Sequence, residues 1–423
     1  MGVPGSRPGV GVLRRLHVLA LAWAALAAAL VAPPASSAVE GGEPPPPQLD
    51  AASWILLDAR DGDRLAAGAP NEPRAIASTT KLMTAYVALS ELPLGRKLTV
   101  PPYAPAPAES VAGLVAGERL TLRDLLLAML LPSANDAAET VALGVAPSEE
   151  AFVERMNEAA GELGLGGTSY ANPIGLDDPL NFSTAADLAQ LTLELLDDER
   201  FRRIVAKPEA TLRSGSLERH VVSRNSLLLT DPSVDGVKTG HTLQAGYVLV
   251  ASSEREGVPL VSVVLGATSE AERDAESEAL LDYGYSLYEP RSPFRAEEVL
   301  ASVAVRYEDE PLALRAQRKL AVTARADQSL EADIDAPAEI EGPIAAGDRV
   351  GSATVILDGE AVGRVPLVAA RAIAEPGLVD RLGGPWVVGA IAAAAAVILL
   401  GIAMLLRRNR GGRRRRRSPG GEG

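Results

Sequence analysis

A serine and a lysine lie three residues apart at the start of an apolar, helix-like run, as Ser78 and Lys81 in ASTTKLMTAY. Side chains three residues apart share one face of a helix, so the amine can lie beside the hydroxyl. A lysine that is partly removed from water and flanked by cations can lose its proton near neutral pH. Such an amine could accept the serine proton while the hydroxyl attacks a carbonyl carbon. A helix-capping serine followed by a solvated lysine is the alternative, which the pair alone favours.

Other catalytic groups are scarce in this sequence, which contains three histidines and no cysteine. The absence of cysteine excludes disulfides, thiolate metal sites and cysteine nucleophiles. Only His220 and His241 follow the N-terminal segment, too few for a histidine-rich metal site. Neither lies in a G-x-S-x-G nucleophile elbow, which the sequence lacks. A nucleophilic Ser78 would therefore need a base other than imidazole, and we expect neither a metal nor an organic cofactor.

Two further motifs supply polar side chains suited to the same chemistry. LPSANDAAE places Ser133 and Asn135 directly after a predicted helix, and GVKTGHT places Lys238, Thr239 and Gly240 just before a predicted strand pair. In this order, the three motifs are typical of penicillin-interacting serine enzymes, which reverses the preference for a merely structural serine.

The sequence contains a second S-x-N match, SRN at 223–225. We prefer the first match because it falls in a break between helices, where a loop can lean over an active cleft. The second match lies only a short segment before the lysine of GVKTGHT.

The chain resembles the serine D-alanyl-D-alanine carboxypeptidases, the low-molecular-mass penicillin-binding proteins, over nearly all of residues 50–370. Besides the three motifs, the likeness includes GLGGTSYANPIGLD, FSTAADLAQL, DGVKTGHTLQAGYVLVASS, VSVVLGA, LLDYGY and VILDGEAVGRVPLVA. It implies an α/β (α+β) penicillin-binding/β-lactamase-like transpeptidase fold with a small C-terminal β-sandwich-like domain. The chain departs from the family in having Ile174 where histidine is common, and a C-terminal transmembrane helix instead of an amphipathic one.

The resemblance implies a catalytic role for Ser78, Lys81 and Ser133. Ser78 would attack the peptide carbonyl of a terminal D-Ala–D-Ala, and Lys81 would take its proton. Ser133, helped by Lys238, would relay the proton to the departing D-alanine, and water would then release the acyl-enzyme. The resemblance also implies a set of substrate-binding residues: Asn135, Lys238, Thr239, Gly240, His241, Arg224 and Arg273.

Within that set, Asn135 would hold the substrate amide, and Thr239 with its strand backbone would pair with the extended substrate. The backbone N–H groups of His241 and of the nucleophile would form the oxyanion hole. A free carboxylate is best recognised by arginine. Arg224 in RNSLL and Arg273 in ERDAE match family arginines with that role, although either could equally form a surface ion pair.

These features favour a carboxypeptidase that removes the terminal D-Ala from peptidoglycan stem pentapeptides and binds β-lactams covalently. A D,D-endopeptidase or transpeptidase on the same wall peptides is the nearest alternative, since only the acceptor and leaving group differ. A β-lactamase would need a carboxylate to activate water, and Asp177 in DDPLN is shorter than the glutamate required. A non-catalytic wall-binding protein is less favoured because every side chain that the chemistry needs is present.

Residues 51–290 are predicted to form the catalytic domain, with strands from both ends of the segment and helices between them. WILLDARDGDRLAAG indicates a strand, a turn at DG and a return strand. GYVLVASS and PLVSVVLG indicate a second strand pair, followed by a helix at about 270–290. Another helix is predicted to begin at Thr121, with Asp124 completing a capping box.

The remaining segments differ from this domain in composition. Basic and then apolar residues ending in APPASSA indicate an export signal, a Pro/Gly-rich stretch indicates a linker, and short alternating runs from about Arg295 onward indicate a β-rich module. An uncharged apolar stretch is long enough to cross a hydrocarbon core of about 30 Å. The predicted segments are a signal peptide (1–38), a linker (39–50), the β-rich domain (295–375), a transmembrane helix (386–406) and a basic tail (407–423).

Charge predicts how the chain lies across the membrane. Arginines cluster directly after the apolar stretch, which by the positive-inside rule holds the C-terminus in the cytoplasm and the catalytic domain on the extracytoplasmic face. The formal net charge is −14 even though both ends are basic. An exterior portion this acidic argues against a nucleic-acid partner.

Overall fold

The computed structural model describes residues 1–2, 44–381 and 384–414. The predicted signal peptide beyond residue 2, the start of the linker and tail residues 415–423 lie outside the described residues. Every helix and strand described below belongs to the compact unit Pro46–Gly423.

The strands are β1 (Ser53–Asp58), β2 (Arg64–Gly68), β3 (Lys97–Thr99), β4 (Arg119–Thr121), β5 (Glu209–Leu212), β6 (Arg219–Val222), β7 (Val234–Thr242), β8 (Gly246–Arg255), β9 (Val258–Ala267), β10 (Tyr288–Arg291), β11 (Val299–Val305), β12 (Leu312–Ala316), β13 (Val322–Arg325), β14 (Leu330–Asp335), β15 (Glu339–Ile340), β16 (Arg349–Leu357) and β17 (Glu360–Ala369). The helices are α1 (Lys81–Glu91), α2 (Leu122–Leu130), α3 (Asn135–Val145), α4 (Glu149–Glu162), α5 (Ala185–Asp197), α6 (Glu199–Val205), α7 (Leu227–Thr230), α8 (Glu270–Ser286), α9 (Leu378–Arg381) and α10 (Gly384–Arg414).

A five-stranded antiparallel sheet in the order β2-β1-β9-β8-β7 forms the centre of the first domain. Successive residues of a strand point to opposite faces, and both faces are covered. Ile55 and Leu57 pack in the core that contains α1, α2 and α3, whereas Leu56 packs with Leu280 and Leu281 of α8 on the other face. Burial on both faces explains the nearly continuous apolar runs. The hairpins predicted at β1–β2 and β8–β9 are confirmed, and β7 forms one edge of the sheet.

Two further helices, α2 and α8, lie where local signals in the sequence predict them. The Thr121 side chain accepts a hydrogen bond from the backbone N–H of Asp124, which confirms Thr121 as the N-cap of α2. The predicted capping box is not completed, because the Thr121 backbone N–H donates to the Ser214 hydroxyl and the Asp124 carboxylate accepts from Ser214 instead. The helix ends at Leu130, two residues before Pro132, which has no N–H to continue it. Helix α8 confirms the helix predicted at about 270–290.

The C-terminal part is a separate β-rich layer with its own core. Six strands form a sheet in the order β14-β16-β17-β12-β11-β15, and β10 pairs with β13. Buried Leu312, Leu314 and Val365 belong to this core. The junction with the first domain is polar, because buried Asp58 accepts a hydrogen bond from the Tyr288 hydroxyl (2.6 Å).

Helix α10 contains the apolar stretch that was predicted to cross a membrane. Within Pro385–Arg408, the most apolar 18 residues have a mean hydropathy of 2.6, and none of them is buried. At about 1.5 Å per residue, the stretch is long enough to cross a bilayer core of about 30 Å. By length and composition, this helix fits a membrane anchor.

Candidate active site

Ser78 lies in a 3₁₀ turn, Ala77–Thr80, that leads directly into α1. The sequence predicts an α-helix at this position, and the 3₁₀ turn found instead also superposes residues three apart along its axis. The consequence for the pair is the same: the Lys81 Nζ atom lies 3.0 Å from the Ser78 Oγ atom. Ala77 just before it has a φ of +49°, in the left-handed region, so the backbone turns sharply into the serine.

The Lys81 side chain is fully buried among oxygen atoms from three parts of the chain. Besides the Ser78 hydroxyl, its Nζ donates to the Asn135 Oδ1 atom (2.7 Å) and to the Ile174 carbonyl oxygen (2.5 Å). Burial lowers the pKa of Lys81 to about 7, with a further contribution from the Arg224 charge and opposition from nearby carboxylates. Near neutral pH a substantial fraction of this amine is therefore unprotonated and able to accept a proton.

A second buried amine contacts the second motif. The Lys238 Nζ atom of β7 donates to the Ser133 Oγ atom (2.9 Å) and to the Thr239 carbonyl oxygen (2.6 Å). Burial lowers the pKa of Lys238 well below its usual value, and the charge of Lys81 lowers it further. Ser133 itself has a φ of +67°, a strained conformation for a non-glycine residue, and strain of this kind is often found at active sites.

Asn135, the first residue of α3, links Lys81 to the segment between β3 and β4. Its Oδ1 atom faces Lys81, and its Nδ2 atom donates to the Glu109 Oε2 atom (2.9 Å). The alternative S-x-N match makes different contacts, since Asn225 Nδ2 donates to the Gly236 carbonyl oxygen (2.9 Å). The structure therefore brings the first S-x-N match, and not the second, to the Ser78–Lys81 pair.

The edge strand β7 passes directly against the nucleophile at Gly240. A Cβ atom at Gly240 would lie 2.9 Å from the Ser78 backbone nitrogen and 3.1 Å from the Ala77 Cβ. Glycine is thus required for this close approach. Thr239, just before Gly240, is buried. His241, just after it, is exposed and stacks its ring on that of Tyr247, with 4.1 Å between the ring centroids.

The two candidate arginines differ in their surroundings. Arg224 is exposed, its charge lowers the pKa of both Lys81 and Lys238, and it has no ion pair among the described residues. Arg273 is buried and donates to Asp274 through Nε (2.8 Å) and Nη2 (2.6 Å). The charge of Arg273 also acts on Lys238, but a carboxylate already compensates it.

A loop that the sequence analysis did not assign to the site completes it. The Asn172 side-chain oxygen accepts hydrogen bonds from the backbone N–H groups of Gly175 (2.7 Å) and Leu176 (3.0 Å). This turn aims the Ile174 carbonyl at Lys81. The Asp177 Oδ1 atom, considered above as a water-activating carboxylate, accepts from the Thr242 hydroxyl (2.6 Å) at the end of β7. The Ile174 carbonyl is a backbone group without any side-chain signal in the sequence, which is why this hydrogen-bond partner of Lys81 was not predicted.

Replacing Gly175 with alanine is expected to displace the nucleophile. Gly175 has a φ of +88°, and a Cβ atom there would lie 2.0 Å from the Ala77 carbonyl oxygen. Gly164 provides the matched control, because its φ is +72° and a Cβ atom there would meet open space. Left-handed strain alone should cost Gly164→Ala about 1 kcal/mol of unfolding free energy. Gly175→Ala should lose more unfolding free energy than this, and it should also lower the rate of β-lactam acylation about tenfold or more. Equal losses of thermal stability in the two variants, with normal acylation in both, would contradict this account.

No group of three or more histidine, aspartate or glutamate side chains is placed to bind a metal ion within residues 44–381 and the described part of α10. The groups that surround Ser78 are two amines, hydroxyls, one carboxamide and backbone groups, with the Glu109 carboxylate and the Arg224 guanidinium nearby. These atoms can transfer protons and stabilise an oxyanion, which is the chemistry of acyl transfer.

Known proteins match both parts of the chain. Residues 40–269 match the family model described as D-alanyl-D-alanine carboxypeptidase, and residues 288–375 match the model of the penicillin-binding protein 5 C-terminal domain. The D-alanyl-D-alanine carboxypeptidase DacF of Bacillus subtilis is 30% identical over 350 residues, covering 80% of this chain and 90% of its own.

Two solved structures are similar to this one. Penicillin binding protein 5 from Haemophilus influenzae has a TM-score of 0.56 and 29% identity, covering 78% of this chain and all of its own. The Streptomyces K15 DD-transpeptidase has a TM-score of 0.54 and 30% identity, covering 58% of this chain and all of its own.

Proposed function

Because the chain belongs to the D-alanyl-D-alanine carboxypeptidase family, we propose that Ser78 is the nucleophile with which it removes the terminal D-alanine of peptidoglycan stem pentapeptides. The family, the fold class and the serine carboxypeptidase activity agree with the sequence-based prediction. The roles of individual residues are our proposal. The observation that carries it is the 3.0 Å contact between the Ser78 hydroxyl and a buried lysine amine whose pKa is about 7.

Acylation begins with proton transfer from Ser78 to neutral Lys81. As the proton leaves, the Ser78 Oγ atom attacks the carbonyl carbon of the penultimate D-alanine and forms a tetrahedral oxyanion. The backbone N–H groups of Ser78 and His241 donate to this oxyanion, a placement supported by the close approach of β7 at Gly240. No imidazole takes part, and the ring of His241 stacks on Tyr247 instead.

Collapse of the intermediate breaks the peptide bond and leaves an ester on Ser78. The departing D-alanine nitrogen needs a proton, and Ser133 relays it. The Ser133 hydroxyl gives its proton to that nitrogen and takes back the proton that Lys81 received from Ser78, while the Lys238 amine donates a hydrogen bond to the Ser133 oxygen. The Ser133–Lys238 contact supports this relay because the donated N–H holds the Ser133 oxygen in place and stabilises it while its proton is transferred. Water then attacks the ester, releases the shortened peptide and restores the Ser78 hydroxyl.

The substrate carboxylate is bound by Arg224, with Thr239 beside it. Arg224 is supported by its exposure and by its lack of an ion pair among the described residues, which leaves the guanidinium available. Arg273 is held by Asp274, so it acts from further away by adding positive charge near Lys238. A β-lactam carries an equivalent carboxylate and a reactive carbonyl, and it would acylate Ser78 in the same way.

Replacing Arg224 with glutamine is expected to raise the KM for a pentapeptide about tenfold, because a charge-assisted contact with the carboxylate is lost. Arg213→Gln is the matched control, since the only ion pair of the Arg213 side chain among the described residues is an exposed one with Glu218. The measurement is the concentration dependence of D-alanine release from an N-acylated pentapeptide. An unchanged KM in Arg224→Gln would remove Arg224 from the substrate-binding set.

The same assay tests the function itself. The full-length protein should release free D-alanine from the pentapeptide and leave a tetrapeptide. The similarity to the Streptomyces K15 DD-transpeptidase supports transpeptidation as a second activity of the same acyl-enzyme. Adding an amino-terminated acceptor peptide would then divert the acyl group into a crosslinked product. Absence of both D-alanine and crosslinked product would overturn the proposed function.

The location of the enzyme follows from its anchor. Helix α10 is compatible with a membrane span, and the arginines after residue 406 support a cytoplasmic C-terminus. This orientation places the catalytic domain on the extracytoplasmic face, where peptidoglycan stem peptides are found. Protease digestion of intact spheroplasts should then remove the catalytic domain and protect a tag on the C-terminus.

A further inference from the structure

We infer that Glu109 is a positioning residue for the acylation step, because it fixes the Asn135 carboxamide with its oxygen, and not its nitrogen, facing Lys81. This inference rests on the proposed role of Lys81 as the base. Glu109 lies in the segment between β3 and β4, 26 residues before Asn135, and belongs to none of the three site motifs.

The two ends of the carboxamide have partners of opposite kinds. The Asn135 Nδ2 atom donates to the Glu109 Oε2 atom (2.9 Å), and the Oδ1 atom accepts from the Lys81 Nζ atom (2.7 Å). An ionised carboxylate can only accept hydrogen bonds, so it must face the nitrogen. Glu109 is ionised at neutral pH because, although burial opposes it, hydrogen bonds from Asn135 and Tyr103 hold its pKa below the usual value.

The orientation matters most when Lys81 is neutral. A protonated lysine only donates and would by itself select the carboxamide oxygen, but a neutral amine also has a lone pair that accepts. A carboxamide turned by 180° would donate an N–H to that lone pair. The lone pair is the group that must take the proton of Ser78, so the turned carboxamide would block the base. Glu109 prevents this because a turned carboxamide would place the Asn135 side-chain oxygen against the Glu109 carboxylate oxygen, and the two would repel each other.

Glu109 is itself held by several contacts. The Tyr103 hydroxyl donates to its Oε2 atom, and the Ala106 backbone N–H donates to its Oε1 atom (2.9 Å). The next residue, Ser110, accepts from the Asn135 backbone N–H through its carbonyl (2.7 Å) and donates its hydroxyl to the Pro132 carbonyl (2.6 Å). These contacts hold Glu109 next to the start of α3, where the side chain of Asn135 that it orients is located.

Glu109 also acts on Lys81 through its charge. Burial lowers the pKa of Lys81 most, Glu109 and Asp136 raise it, and Arg224 lowers it. The pKa of Lys238, the other amine nearby, is also lowered, by its own burial and by repulsion from Lys81. Removing the negative charge of Glu109 should therefore lower the pKa of Lys81 further. A residue with a purely structural role would not produce this shift.

The test measures the rate of β-lactam acylation against pH in the full-length protein, with Glu109→Gln and Glu109→Ala. In the wild type the rate should rise through about pH 7 to a plateau. In both variants the rising limb should move to lower pH by about half a unit. The plateau should fall about tenfold in Glu109→Ala and less in Glu109→Gln, whose side-chain oxygen can still accept from Asn135.

Glu139→Gln is the matched control, since Glu139 lies on α3 with Asn135 but its charge does not figure among those that act on Lys81. Its pH profile should coincide with that of the wild type. A lowered plateau in Glu109→Ala without any movement of the limb would assign Glu109 a structural role and overturn the inference, as would profiles identical to the wild type. A wild-type protein that is never acylated would instead overturn the proposed function.

Discussion

Replacing Ser78 with alanine is expected to abolish both covalent β-lactam labelling and D-alanine release. The substitution removes the only hydroxyl within hydrogen-bonding distance of the Lys81 amine among the described residues. Because no acyl-enzyme can form, the rate should fall by about 10⁴-fold or more. Fluorescent penicillin labelling and D-alanine release from a pentapeptide measure the two reactions separately.

Ser90→Ala is the control for this substitution. Ser90 lies near the end of α1, and its hydroxyl donates only to the Val87 carbonyl oxygen (2.8 Å). Its removal should leave labelling and turnover unchanged. If the Ser78 variant, with an unaltered melting temperature, still became labelled, another residue would have to be the nucleophile.

Replacing Lys81 with methionine is expected to slow acylation by about 10³-fold, because the general base is lost while a side chain of similar length fills the cavity. The buried position favours an uncharged replacement. The wild-type rate should increase with pH below about pH 7, since deprotonation of Lys81 produces the active form. In the methionine variant this increase of the rate with pH should be absent. Measuring the rate of β-lactam acylation between pH 5 and 9 distinguishes the variant from the wild type.

The control for this substitution is Lys97→Met, on the exposed side of β3. This variant should retain the wild-type pH profile. A Lys81→Met protein that acylates at the wild-type rate would show that some other group takes the proton of Ser78. Lys238 would then be the next candidate, because it is the other buried amine with a lowered pKa.

Local signals predicted many of the elements. The hairpin β1–β2 was predicted from an apolar run, a DG turn and a second run, and α2 from the Thr121 cap. Both depend on residues close in sequence, so the pattern contains the required information. In the C-terminal part, β12, β14 and the pairing of β10 with β13 were not predicted. Burial alternates along β12 and β14, but over only five and six residues, too few to stand out in the sequence. The pairing of β10 with β13 joins segments that are distant along the chain.

The motifs Ser78–Lys81, Ser133–Asn135 and the GVKTGHT strand could be recognised from the sequence because side-chain chemistry and spacing are local properties. The sequence favoured the correct S-x-N match only through its place in a break between helices. It could not indicate that the Ile174 carbonyl and Glu109 belong to the site. The contacts of Lys81 with Asn135 and Ile174 span 54 and 93 residues, and that of Lys238 with Ser133 spans 105.

By itself, then, the sequence determined which reactive groups this protein carries and that its serine must be activated by an amine. The tertiary structure decided which oxygen atoms surround that amine, how far it is removed from water and which way the carboxamide of Asn135 points. These properties depend on the packing of segments that are distant along the chain. Hydrogen-bond geometry and burial exist only after that packing has brought the segments together.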